Sequence, residues 1–262
     1  EAGKHVLCEK PLEISVERVD QIIASAQKND HILGAIFQSR FGTGAQKVKE
    51  AIVQGRLGRL TLCSAYVKWW RDAEYYAAGG WHGTKTLDGG GALINQAIHG
   101  VDLLQWLVGM PIKVSAFSDA LVHSIEGEDT LVANLQFATG ALGSIEAATS
   151  CKPGAAKRIE ISGDKGTIVL EDDRIITWEF DDERPEDDAI RKGEHSLALK
   201  SGFADPKAIT SEGHRLQVAD LVAAIREKRE PSVSGFEGRN AVQIVEAIYQ
   251  SAESGRIVEI TS

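Results

Sequence analysis

Positive charge is in short supply along this chain of 262 residues: 29 Lys and Arg stand against 38 Asp and Glu, a net charge of -9. A field of that sign repels polyanions, so nucleic acid is not expected as a partner. Cysteine is scarce too. Cys8, Cys63 and Cys151 are odd in number and lack paired metal spacing, which excludes a disulfide scaffold and fits a reducing compartment. The seven histidines are scattered, with no His-Glu-x-x-His, so no metal is expected. No apolar run reaches the length of a membrane span, and residues 1–7 lack the apolar core of a signal peptide. The chain therefore reads as cytoplasmic, without a membrane partner. Neither a Gly-x-Ser-x-Gly elbow nor a Walker phosphate loop occurs.

What is present is the material of a globular protein, 43% hydrophobic and 26% charged, enough to bury one large core or two unequal ones. Residues 4–8 form an apolar run closed by Glu9, Lys10 and Pro11. Pro11 lacks an N–H and ends a strand there. Behind the good N-cap Ser15, Val16, Val19, Ile22, Ile23 and Ala26 recur at helical spacing, and residues 31–37 read as a buried strand. Strand, helix and strand make a βαβ unit, whose home is a parallel sheet. From residue 42 the pattern changes. Helices are expected over 45–53 and 92–108, a strand over 60–70, and successive strands over 112–180, with a hairpin at Gly163-Asp-Lys-Gly166. Two amphipathic helices, 212–228 and 238–254, precede a last strand at 256–260. The acidic stretch 181–188 reads as a solvated loop. The fold class is α/β, and residues 1–41 read as a nucleotide domain entered near its end. Residues 42–262 form an α+β domain with an open, mainly antiparallel sheet.

Three constellations carry chemistry. On the apolar helix 92–108, Asn95, His99 and Asp102 stand at i, i+4 and i+7, one turn apart on one stripe. Buried polar groups need partners. A core histidine bonded to Asp102 or to backbone would meet that need; the preceding run Gly89-Gly-Gly91, which admits close approach of backbone or ligand, favours a site. Second, Lys10 stands at the carboxyl end of a strand, where ligands bind in α/β sheets. Third, Trp69, Trp70, Tyr75, Tyr76 and Trp81 offer faces that can stack on a sugar, although paired tryptophans in a strand are more often one core residue and one interface residue. A fourth candidate fails: Gly42-Thr-Gly44 follows a strand, but Lys47 stands where a dinucleotide fingerprint needs its third glycine, and no acid closes the next strand. It reads as the turn joining the two domains.

Taken together, Gly3-Lys-His-Val-Leu-Cys-Glu-Lys-Pro-Leu12, Phe37-Gln-Ser-Arg-Phe41 and Leu87-Asp-Gly-Gly-Gly-Ala-Leu-Ile-Asn-Gln-Ala-Ile-His-Gly-Val-Asp102 resemble the glucose-fructose oxidoreductase / inositol dehydrogenase / rhizopine catabolism family. The resemblance implies NAD or NADP as cofactor and a secondary hydroxyl of a sugar, cyclic polyol or sugar nucleotide as the reacting group. It implies Lys10 as the catalytic lysine and His99 as the handler of the substrate proton, with Glu9, Lys10 and Gln38 at the nicotinamide end. Arg40, Asn95, Gln96 and Asp102 fall to the substrate. A neutral imidazole can accept that proton at neutral pH. Asn95 stands where many inositol dehydrogenase-like members have aspartate, and the Asn95-Gln96 pair is more like the nucleotide-sugar 3-dehydrogenase branch. The family pattern also implies that residues 1–41 are the C-terminal part of a Rossmann domain, with about a hundred further residues upstream carrying the glycine fingerprint, and a homodimer or homotetramer built through the open sheet. Residues 1–262 alone are then expected to bind NAD(H) weakly and not to turn over. A non-catalytic sensor and an NAD-dependent glycosidase share the fold and are the alternatives.

Overall fold

The computed structural model describes residues 2–193 and 211–261. β1 (Val6–Cys8) and β2 (Leu33–Ala35) pair in parallel, Val6 opposite Leu33 and Cys8 opposite Ala35, with α1 (Val16–Lys28) as the crossover that parallel strands require. Ser15 caps α1 by accepting the Arg18 N–H, and Val19 and Ile23, one turn apart, bury its inner face. This two-stranded sheet is separate from the large one.

A 3-10 turn, Gln38–Phe41, leads into α2 (Thr43–Val53). Gly42 and Gly44 are the opening of this helix rather than a connecting turn. A Cβ at either would stand 2.1 Å from an atom of Asp173, whose Oδ1 accepts the Ala45 N–H at 3.1 Å. A helix start, with free N–H groups and a positive dipole end, attracts an anion. Here the chain supplies its own carboxylate.

The large sheet is assembled from β3 (Leu60–Lys68), β4 (Pro111–Asp119), β5 (Thr130–Phe137), β6 (Leu142–Ala148), β7 (Arg158–Gly163), β8 (Gly166–Glu171), β9 (Arg174–Phe180) and β10 (Val258–Glu259). Its order is β10-β4-β5-β6-β3-β7-β8-β9, antiparallel except for the β3–β6 pair. The other helices are α3 (Ala73–Ala77), α4 (Ile98–Val108), α5 (Asp187–Arg191), α6 (Glu212–Glu227) and α7 (Gly235–Ser254). Alternation along the strands turns Val114, Ala116, Leu131, Ala133, Ile145, Ala65 and Ile159 inward, where α7 packs on β4, α4 on β3 and β7, and the segment Ala92–Ala97 on β5 and β6. On the other face the register aligns Phe117, Val132, Glu146, Tyr66 and Arg158 in one row across five strands. Phe117 is 78% exposed and Val132 44%. No helix among the described residues is long and apolar enough to cross a membrane.

Two acidic residues differ from expectation. Asp187, in the stretch read as solvated, is fully buried: it takes both terminal nitrogens of Arg56 at 2.7 Å and the Trp178 Nε1–H at 2.6 Å. Arg56 holds its carboxyl well below the usual carboxylate range, with burial opposing. Asp102 turns from the expected stripe toward Arg40 and receives Nε at 2.8 Å and Nη2 at 2.5 Å; Glu237 takes the remaining Nη1 at 2.6 Å. The side chains of Arg40 and Asp102 are 3% and 0% exposed. Asp102→Ala would leave a buried guanidinium short of its main partner, so a loss of about 3–5 kcal/mol is expected from urea or thermal unfolding. A loss below about 1 kcal/mol, the worth of a surface pair, would show that the contact does not hold the fold.

Candidate active site

The segment before α4, Ala92–Ala97, is a π-helix. Its i→i+5 rings are wider than α turns, and such segments cluster at functional sites. The glycine run ahead of it admits the chain itself: a Cβ at Gly91 would stand 1.9 Å from the Glu128 carbonyl oxygen. Glu128 then caps the helix start, its carboxylate accepting the N–H groups of Gly91 (3.1 Å) and Leu93 (2.8 Å) and the Tyr249 hydroxyl (3.0 Å). Burial nonetheless raises the Glu128 pKa, against these bonds.

With its start fixed, the π segment presents Asn95 and Gln96 to the end of β1. Lys10 Nζ donates to the Asn95 main-chain oxygen at 2.6 Å. The Asn95 side chain donates to Asp88 Oδ1 at 2.7 Å and accepts from Gln96 Nε2 at 2.8 Å. Gln96 Nε2 also donates to the Tyr75 hydroxyl at 2.7 Å, and Gln96 Oε1 accepts from Arg71 Nη2 at 3.1 Å. Asp88 Oδ2 takes the Gly83 N–H at 2.8 Å. Arg71 lies over the rings of Trp69 and Tyr75. The result is a continuous polar wall, Arg71–Gln96–Asn95–Asp88, with an ammonium standing on it.

Burial lowers the Lys10 pKa, Glu9 and Asp88 oppose that, and Arg71 adds to it. His99, one turn after Asn95, sets its ring edge-on to Phe37 at 5.9 Å, and its enclosed Nδ1 has no partner. The core histidine bonded to Asp102 or backbone through Nδ1 is thus not what the chain builds. Burial, then Lys10, Lys157 and His214, push its pKa well below the ordinary histidine value, so the ring is neutral.

Of the residues expected at the site, Lys10, Asn95, Gln96 and His99 come together. Glu9 is exposed and accepts the Lys10 main-chain N–H at 3.2 Å. Gln38 sits in the 3-10 turn against Gly213 of α6, with an enclosed Oε1 that has no partner. Arg40 and Asp102 do not join: Arg40 donates to Asp102 and Glu237, and Asp102 also accepts from Gln105 Nε2 at 3.5 Å, so a buried ion pair stands where substrate contacts were expected. Among the described residues no cluster of His, Cys, Asp or Glu could hold a metal.

Residues 49–260 match the C-terminal alpha/beta domain of an oxidoreductase family, the one named for glucose-fructose oxidoreductase, inositol dehydrogenase and rhizopine catabolism. The chain belongs to that family. Among its relatives here, the myo-inositol 2-dehydrogenase of Thermotoga maritima is 28% identical, covering 99% of this chain and 73% of that protein. The WlbA dehydrogenase of Bordetella pertussis, solved in complex with NADH and UDP-GlcNAcA, is 35% identical with a TM-score of 0.88, covering 100% of this chain and 73% of that one. WlbA from Chromobacterium violaceum, in complex with the same two ligands, is 33% identical with a TM-score of 0.86, covering 99% and 72%.

In this oxidoreductase chain, sequence reasoning passed over Asp88, Arg71 and Lys157 as site residues. The first two carry a usable signal, since Asp88 abuts the triple glycine and Arg71 ends the Trp69-Trp70 run. Lys157 has none, being 58 residues from His99 in the chain.

Proposed function

We propose that this chain forms the reaction centre of an NAD(P)-dependent oxidoreductase acting on a secondary hydroxyl of a nucleotide-linked sugar, with Lys10 and His99 as its catalytic residues. One observation carries the reading: a half-buried lysine of lowered pKa stands on the Asn95 carbonyl beside a neutral histidine without a carboxylate partner. The likeness to two WlbA dehydrogenases whose complexes hold NADH and UDP-GlcNAcA supports the nucleotide-linked sugar over a free polyol.

Residues 1–41 are read as part of a dinucleotide-binding domain. The carboxyl ends of two parallel strands carry Glu9, Lys10 and, three residues past β2, Gln38. Strand ends of this kind are where such cofactors lie, and the partnerless Gln38 Oε1 and the Lys10 ammonium suit the nicotinamide end. The cofactor, when bound, supplies the hydride acceptor or donor. His99 takes the hydroxyl proton in the oxidising direction and returns it in the other. Lys10 polarises the same oxygen, while Asn95, Gln96, Tyr75 and Arg71 orient the sugar. The half-apolar open row at Phe117 and Val132 is read as the surface through which copies of the chain associate.

The test is incubation of the native enzyme with UDP-GlcNAcA and NAD+, followed by NADH absorbance. NADH formation with the sugar still attached to its nucleotide is expected. Release of UDP without net NADH would replace an oxidoreductase with a glycosidase-type reaction, and NADH from free inositol alone would overturn the substrate.

A further inference from the structure

We propose that Lys157 is a positioning residue of this site: its ammonium, enclosed beside the His99–Gly100 step of α4, keeps the His99 imidazole unprotonated and so sets the pH at which His99 can act as a base. The inference rests on the reading of His99 given above.

Lys157 lies in the connection between β6 and β7 and is 5% exposed. Its backbone is pinned from both sides by Asp172, whose N–H donates to the Lys157 carbonyl at 2.7 Å and whose Oδ1 accepts the Lys157 N–H at 3.2 Å. From there the side chain crosses toward the β1–β2 unit. Its Cδ passes 3.9 Å from where a Cβ on Gly100 would stand, and its Nζ donates to Ser39 Oγ at 2.7 Å. Ser39 is two residues from Phe37, the ring packed against His99. Lys157 therefore runs from the large sheet, past the residue that follows His99 on α4, to the turn behind Phe37.

Among the described residues no carboxylate lies within ion-pair distance of Lys157 Nζ, and its hydrogen-bond partner is a neutral hydroxyl. A buried charge without a close counter-ion acts on its neighbours with little screening. His99 is the neighbour placed to feel it. The charged and titratable groups around His99 are Lys10 from the end of β1, Lys157 from the β6–β7 connection and His214 from α6. On its own helix Asp102 is bound by Arg40. Asp173, which could compensate Lys157, is turned to the α2 start. Burial lowers the Lys157 pKa, while Asp172, Asp173 and Asp102 favour its charged form from a distance.

The experiment is an NMR titration of the native protein labelled at histidine, with His99→Ala to assign the resonance, repeated in Lys157→Met, Lys157→Gln and Lys157→Arg. In the parent and in Lys157→Arg, the His99 ring is expected to stay neutral through the ordinary histidine range. In Lys157→Met its protonation is expected to move up by about one pH unit, tenfold in the equilibrium, as for loss of one nearby like charge. Lys157→Gln keeps a donor for Ser39 and should give the same shift if Lys157→Met does not fold. An unchanged His99 titration in either folded variant overturns the proposal. The titration needs no substrate, so it is separable from the catalytic reading, which fails instead if His99→Ala retains turnover.

Discussion

His99→Ala is expected to lower the rate of sugar oxidation by roughly 10²–10⁴-fold and to erase the acid limb of its pH profile. The protonated ring cannot accept a proton, so the rate falls as pH drops through the histidine's pKa in the working complex. Burial and the cations Lys10 and Lys157 place that pKa below the ordinary value, which moves the limb to lower pH. The same depression links to stability. Between the native and unfolded pKa values the unfolded chain binds more protons, so this part of the stability is complete above about pH 6.5 and declines as pH falls toward the native value. Alanine should flatten that decline as well. Rates measured across pH with saturating cofactor and sugar decide the matter: a mutant with the parent profile would mean that His99 only fills space beside Phe37.

Lys10→Met is expected to abolish turnover, by roughly 10³-fold or more at the upper end of what one proton-handling group supplies, with the unfolding midpoint little changed. Methionine keeps much of the stem's packing. It cannot donate to the Asn95 carbonyl, polarise an oxygen or shift the charge around His99. Lys10→Arg separates charge from proton transfer, because guanidinium stays protonated. If Lys10 must release a proton, the arginine variant binds sugar but turns over no better than methionine. Turnover comparable to the parent in Lys10→Met, on a folded protein, would remove Lys10 from the chemistry.

Much of the architecture is legible from periodicity. The βαβ unit, the 163–166 hairpin and the closing helices fall where apolar spacing and turn residues put them. So do Lys10 and His99, because a strand end and a polar stripe are local patterns. What escapes is long-range partnership. Nothing around Arg40 or Asp102 marks them as partners 62 residues apart, and each alone reads as a polar group facing a ligand. Asp187 hides in an acidic run because its partner Arg56 lies 131 residues away. Gly42 and Gly44 fail as a dinucleotide fingerprint at Lys47, yet nothing near them in the chain marks Asp173, folded back from the β8–β9 turn, as the group they admit. The π segment is invisible for another reason: nothing in the residues Ala92–Ala97 distinguishes a π from an α winding, while the groups that hold it, Glu128 and Lys10, come from distant parts of the chain.

That winding makes the rod from Ala92 to Val108 an indexing device. Its first half is phased to Tyr75, Arg71 and Lys10, its second to Arg40 and the sheet. A gain or loss of one residue between the halves would turn one against the other by about 100°, the angle of a single helical step, swinging the Asn95 and Gln96 amides away from Tyr75 and Arg71 while the buried ion pair stayed in place. Length in this stretch therefore governs where the two amides point.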